Sequence, residues 1–336
     1  MSELDTKKRK DFAAKLIFVI GIVILAIKFL AWFITGSSAI YSDALESIVN
    51  VITAVTAWIA IRISSLPADK DHPYGHGKVE YFSAAFEGIL IILAGLFIVY
   101  EATYAFIDGI VVQEISSGLL LILTTAFMNG LLGMYLIRTG KQIRSDTLIA
   151  SGHHVYSDSI TSFGVFVGLI CVKLTGILWI DPVIALFVAL HIIYQGSKLL
   201  RNSLMRLMDS ADEDALSLIS TCLRKNRRDE WIAPHRLRAW RSGSQLFIDF
   251  HLIMPWYFSL RETHAAEHDI KNRFSETMNE HVELIIHTEP CFPEACRYCR
   301  MKKCSYRSEV QEVDSIWSKD ILMTIPEMPK PNKDIL

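Results

Sequence analysis

Strong charge of either sign is missing from this sequence. Thirty-four lysines and arginines meet 36 aspartates and glutamates, leaving a formal net charge of −2. That balance offers no basic footprint for nucleic acid. Cysteine is scarce as well: of six residues, four crowd into 291–304. A disulfide framework would spread them along the chain, so a reducing compartment or a metal cluster is the better fit. No small-residue cleavage site follows the first apolar run, which therefore reads as a retained span and not a signal peptide. No internal repeat is found, and the zinc-hydrolase signature H-E-x-x-H occurs nowhere.

What the chain does have is apolar length. Fifty-one per cent of its 336 residues are hydrophobic, too many for one soluble globule. Six segments reach the ~20 residues that a helix needs to cross the hydrocarbon core: 14–35, 39–63, 82–107, 117–137, 147–176 and 182–200. "TGSS" at 35–38 and "WIDP" at 179–182 read as turns between them. Lys7, Lys8, Arg9, Lys10, Arg62, Lys70, Lys78, Arg138, Lys141, Arg144, Lys198 and Arg201 collect on one side, with Lys173 alone at the opposite edge. The positive-inside rule then makes both termini cytoplasmic. The plain N-terminus and compact size suggest a bacterial inner membrane.

After Asp209 the composition changes. "DEDALSLISTCLRK" has helical period, "HRLRAWRSG" and "QLFIDFHLIM" read as strands about a Ser-Gly turn, "SLRETHAAEHDIKNRFSETM" as an amphipathic helix and "HVELIIHTEP" as a closing strand. The expected layout is a cytoplasmic N-terminal segment (1–13), a membrane domain of six helices (14–208), a cytoplasmic α+β domain of order αββαβ (209–290), and a Cys-rich C-terminal tail (291–336). From 305 on, with Pro326, Pro329 and Pro331, that tail is expected to be loosely ordered.

Ionisable groups at bilayer depth are expensive unless paired, metal-bound or facing water. The fifth span carries His154 and Asp158, four apart and so on one helical face. The second carries Glu46 and Asn50 at the same spacing, with Asp43 one turn earlier as an additional donor. Two such pairs on packed helices supply four N/O ligands, the count of a tetrahedral Zn²⁺-like site. The alternative is that they hydrogen-bond helix to helix as packing glue. Glu46 and Asp158 match the charge of a divalent cation, and when it leaves, protons are its natural replacement. Glu87, Asn129 and His191 read as packing or water-facing groups.

Outside the spans, "LPADKDHPYGHGKVEYF" places Asp69, His72 and His76 in a tight loop as D-x₂-H-x₃-H. His235, His251, His264 and His287 fall in different elements of the α+β domain. Glu289 shares a strand face with His287, and spacing alone does not say whether the five meet. Cys291, Cys296, Cys299 and Cys304 form C-x₄-C-x₂-C-x₄-C, thiolate spacing suited to structural Zn²⁺.

Taken in order, "SDALES", "HPYGHGKVE", "HHVYSDS", "WIDP" and "IIHTEPC" resemble the cation diffusion facilitator family over about residues 10–291. The resemblance implies a homodimer exporting divalent metal from the cytosol in exchange for protons by alternating access. It implies a transport site of Glu46, Asn50, His154 and Asp158 and a loop site of Asp69, His72 and His76. It further implies a binuclear site of His235, His251, His264, His287 and Glu289 in a metallochaperone-like domain. Lys78 and Asp209 match a salt bridge that helps to hold the dimer. Glu46, Asn50 and Glu289 depart from the more usual family choices, and the four-cysteine tail lies beyond the family core.

Histidine with oxygen ligands suits Zn²⁺ first, then Fe²⁺, Mn²⁺ or Co²⁺. Mg²⁺ or Ca²⁺ would dispense with the imidazole, and Cu⁺ would ask for sulfur. An intramembrane metallohydrolase is disfavoured by the missing H-E-x-x-H motif. A membrane-anchored metal sensor is disfavoured because an anchor has no use for buried carboxylates.

Overall fold

A computed structural model describes residues 3–108, 115–143, 146–243, 245–278, 282–311 and 317–324. The chain divides into two units: Met1–Arg62 with Glu80–Leu204, and Ile63–Val79 with Met205–Leu336.

The first unit is helical. Its elements are α1 (Glu3–Thr35), α2 (Ser38–Ser64), α3 (Val79–Asp108), α4 (Ile115–Ile143), α5 (Asp146–Thr175) and α6 (Ile180–Leu207). All six are long and apolar enough to span a bilayer, and their outward faces carry large hydrophobic side chains such as Phe33, Ile107 and Phe187. Small residues bring the helices together. A Cβ on Gly133 of α4 would meet the Gly152 carbonyl of α5 at 2.9 Å, and the reverse clash is as close. The two sequence-read turns meet each other. Asp181 of "WIDP" accepts from the Ser37 hydroxyl at 2.6 Å and from the Ser38 N–H at 2.7 Å, so one buried carboxylate satisfies the start of α2. Ile40, Ile98, Ile122, Val165 and Leu169 form the core around this end.

The second unit holds α7 (Glu213–Lys225), β1 (Ala233–Ser242), β2 (Gln245–Met254), α8 (Leu260–Thr277) and β3 (Val282–Pro290), the expected αββαβ order. β1 and β2 form an antiparallel hairpin, and β3 returns beside β2 in parallel. Helix α7 starts on Asp212, whose side chain accepts the Ala215 N–H, and α8 starts on a Ser259–Glu262 capping box. Alternation along β2 sends Leu246, Ile248, Phe250, Leu252 and Met254 to the core shared with α7 and α8. The odd positions, His251 among them, face the other way.

The expected tail is partly built into this domain. Trp317 and Leu322 are buried members of the same core. The Ser220 hydroxyl donates to the Trp317 carbonyl at 2.8 Å, and a short helix α9 (Lys319–Met323) follows. Thr324 accepts from the N–H of Arg236, which has a positive φ at the β1 bulge. A large indole here has more to gain from burial than from solvent, so loose ordering from 305 does not hold for 317–324. Pro326, Pro329 and Pro331 lie outside the described residues.

Candidate metal centres

Helix period does on α2 and α5 what the spacing requires. Asn50 Nδ2 donates to Asp158 Oδ2 at 2.8 Å, and His154 Nε2 lies 3.3 Å from Asn50 Oδ1. Glu46 Oε2 is buried without a hydrogen-bond partner among the described residues. Glu46, Asn50 and His154 line a cavity of about 10 Å³ with Val49, Ile91, Ala94, Ile192 and Gln195. That is room for about one water-sized sphere, a fit for a bare ion but not a hydrated one. A buried carboxylate oxygen left without a partner is costly, and a cation beside it would remove that cost.

Asp43 is differently placed. Its carboxylate takes an ion pair from Lys28 Nζ at 2.9 Å and the Ser162 hydroxyl at 2.8 and 3.0 Å. Lys28 and Asp43 are both essentially fully buried. Asp43 is thus already paired one turn from the quartet, and it does not line the cavity. Lys28 escaped the sequence reading because a single lysine in an apolar run carries no partner signal. Glu87 of α3 interacts electrostatically with His154 and Asp158. It precedes Ile91 and Ala94 by one and two helical turns, so it belongs to the cavity's surroundings. His191 contacts the cavity-lining Gln195 side chain, 2.5 Å away.

In the second unit the loop residues converge. Asp69 Oδ1 accepts the backbone N–H groups of His72 at 2.7 Å and Asp71 at 2.9 Å, and its carboxylate lies 3.3 Å from His72 Nδ1 and 3.4 Å from His76 Nε2. The His72 N–H is the main reason that the Asp69 carboxyl titrates below its ordinary value. His76 Nδ1 is buried without a partner among the described residues. The loop is seated by Tyr74, edge-on to Phe247, and by Gly77, where a Cβ would collide with the Ser242 carbonyl. Lys78 meets Asp209 at 2.8 Å within the chain.

Strand register builds the last cluster. His251 pairs with His235 on one side and His287 on the other, and Ile253 pairs with Glu289. Glu289 reaches His251 Nδ1 at 2.7 Å, His235 Nε2 at 3.4 Å and His287 Nε2 at 3.8 Å. Burial, above all, holds His235 below its ordinary pKa, which keeps a nitrogen lone pair available for a metal. His235, His251 and Glu289 lie within ligand spacing, as do Asp69, His72 and His76. His287 sits beside the cluster, exposed. His264 is 78% exposed on α8, 4.0 Å from Glu267, and the structure does not bring it to the other four.

Residues 14–208 match the family model described as the cation efflux transmembrane domain, and 211–291 match that of the cation efflux protein, cytoplasmic domain. An uncharacterized transporter of Synechocystis is 34% identical over 267 residues, covering 79% of this chain and 86% of its own. The manganese efflux system protein MneP of Bacillus subtilis is 26% identical over 87% of this chain and 99% of its own. The cation-efflux pump FieF of Shewanella oneidensis is 27% identical over 80% and 90%.

Proposed function

This chain belongs to the cation efflux family of metal transporters, and on that premise we propose that Glu46, Asn50, His154 and Asp158 hold a dehydrated transition-metal dication in exchange for protons. The buried Glu46 oxygen, unpartnered beside a cavity of about 10 Å³, is the observation that carries this reading. The Asn50 amide bridges Asp158 and His154. An entering ion takes the carboxylate and imidazole, and the amide turns its oxygen toward the metal.

Zn²⁺ is the leading cargo because an imidazole nitrogen stands among the donors. The harder amide oxygen at Asn50, with a relative named as a manganese efflux protein, keeps Mn²⁺ next, ahead of Fe²⁺. When the ion leaves, protons relieve the repulsion between close carboxylates, and the empty site returns through alternating access. The neutral Lys28–Asp43 pair fixes α1 to α2 beside the site. The chain acts as a homodimer with both termini cytoplasmic, and the two second-unit clusters bind metal on that side.

Proteoliposomes with an imposed pH gradient test this reading. Zn²⁺ and Mn²⁺ uptake should each be accompanied by opposite proton movement, with little uptake of Mg²⁺. Metal movement without any proton signal would reject the exchange.

A further inference from the structure

The four cysteines that sequence spacing groups together are organised by a fold of their own. Cys291 leaves β3 with its N–H bonded to the Met254 carbonyl at 2.8 Å. A 3₁₀ turn over Pro293–Tyr298 carries Cys296, and the Cys299 N–H closes onto the Cys296 carbonyl at 3.2 Å, a one-turn C-x₂-C hook. Ala295 and Cys299 are buried against Ile232 and Ile253, on the sheet face away from the helices. One guanidinium ties the segment. Arg307 donates to the carbonyls of Cys296, Cys299, Met301 and Glu309 at 2.8–3.3 Å.

The sulfurs themselves are met by donors. The Trp256 N–H stands near the Cys291 sulfur and the Met301 N–H near that of Cys299. Cys296 accepts from the Ser308 hydroxyl at 3.5 Å, with the Ser308 and Glu309 N–H groups nearby. The Tyr257 hydroxyl donates to the Met301 sulfur at 3.7 Å and interacts with the neighbouring Cys304. Arg297, Arg300, Lys302, Lys303 and Arg307 lie in the same short stretch, and they offset the two negative charges left when four thiolates take one dication. All four thiols are free. No three of the sulfurs lie within 4.8 Å of one another, so holding one ion in common requires them to move closer together.

We infer that Cys291, Cys296, Cys299 and Cys304 form a closed tetrahedral thiolate site for Zn²⁺, which staples residues 291–308 across the outer face of the sheet. The site is separate in chemistry and place from the N/O quartet on α2 and α5. Its donor set selects Zn²⁺ or Cd²⁺ and rejects Mn²⁺.

The test uses the full chain, reduced and in detergent, titrated with Co²⁺ alone. Tetrahedral thiolate coordination gives intense visible d–d bands and sulfur-to-cobalt charge transfer, which N/O sites do not produce. Those bands should appear, yield to added Zn²⁺, persist in Asp158→Asn, and vanish when Cys296→Ser and Cys299→Ser are combined. Since the double variant risks disordering the 3₁₀ turn, wild-type protein is also labelled with maleimide. Zn²⁺ should protect four of the six thiols. Absent thiolate bands in the wild-type chain, undiminished bands in the double variant, or recovery of these cysteines as disulfides with no metal uptake would each overturn the site. None of those results bears on the transport reading.

Discussion

The membrane quartet and the sheet cluster both combine imidazole with carboxylate, the quartet adding the Asn50 amide, yet they are assembled by different geometry. In the quartet, each pair lies four residues apart on one helix, so helix period alone puts the donors side by side. In the sheet cluster, His235, His251 and Glu289 come from three strands and meet only through the register His235↔His251 and Ile253↔Glu289. Glu46, Asn50 and His154 of the quartet line a small cavity beside an unpartnered Glu46 oxygen, whereas the sheet cluster is buried at His235 and part-buried at His251 and Glu289, and its Glu289 is already shared among histidines. An enclosed site must strip the ion of water and can be emptied only by a conformational change or by protons.

The largest expected effect isolates the membrane unit. Lys28→Met leaves Asp43 as a lone buried carboxylate and should cost about 3–5 kcal/mol, read as a loss of thermal stability in detergent. The double variant Lys28→Met/Asp43→Asn should recover most of it. A single variant as stable as wild type would mean that the pair carries no structural weight.

Next comes the sheet cluster. His251→Ala should lower metal affinity of the second unit by about 10- to 100-fold while leaving transport within a few-fold. Equal losses in both readouts would erase the distinction between the regions. Asn50→Asp should tighten binding at the quartet by roughly 10-fold, since a carboxylate replaces an amide, and change the Zn²⁺ to Mn²⁺ preference. An unchanged competition profile would mean that the amide never ligates.

The smallest effect is a pH response confined to the second unit. His235 has its folded pKa below the ordinary 6.5 because of burial. The unfolded chain therefore takes up the proton first, and metal-free stability should fall as pH drops through about 6.5 and level off below the folded value. Replacing His235 with Gln should flatten that slope. A slope that survives the substitution would assign it to another group.

Much of this was legible before the fold was known, because it depends on local period. The six spans, the αββαβ order and the two helical pairs all follow from spacing. His287 and Glu289 share a face by strand alternation, and the structure adds what alternation cannot give, that His235 and His251 lie across the ladder from them. His264 shows the limit of reading by resemblance: its number fits, but α8 carries it to an exposed position. Lys28 and Asp181 show another limit. Each is a single polar residue in an apolar or turn sequence, and its partner lies on a distant helix. Trp317 was hidden by the prolines that follow it, which suggested disorder for a stretch that in fact closes a core.

The central claim is that α2 and α5 together cage a dication that protons displace. It is tested most directly by stopped-flow flux in proteoliposomes, with a metal dye and a pH dye read together, comparing wild type with Asp158→Asn. The account predicts coupled metal and proton signals in the wild type. In the variant both signals should fall by at least about 100-fold, with thermal stability and elution profile retained. Wild-type rates of coupled flux in a folded Asp158→Asn protein would contradict it.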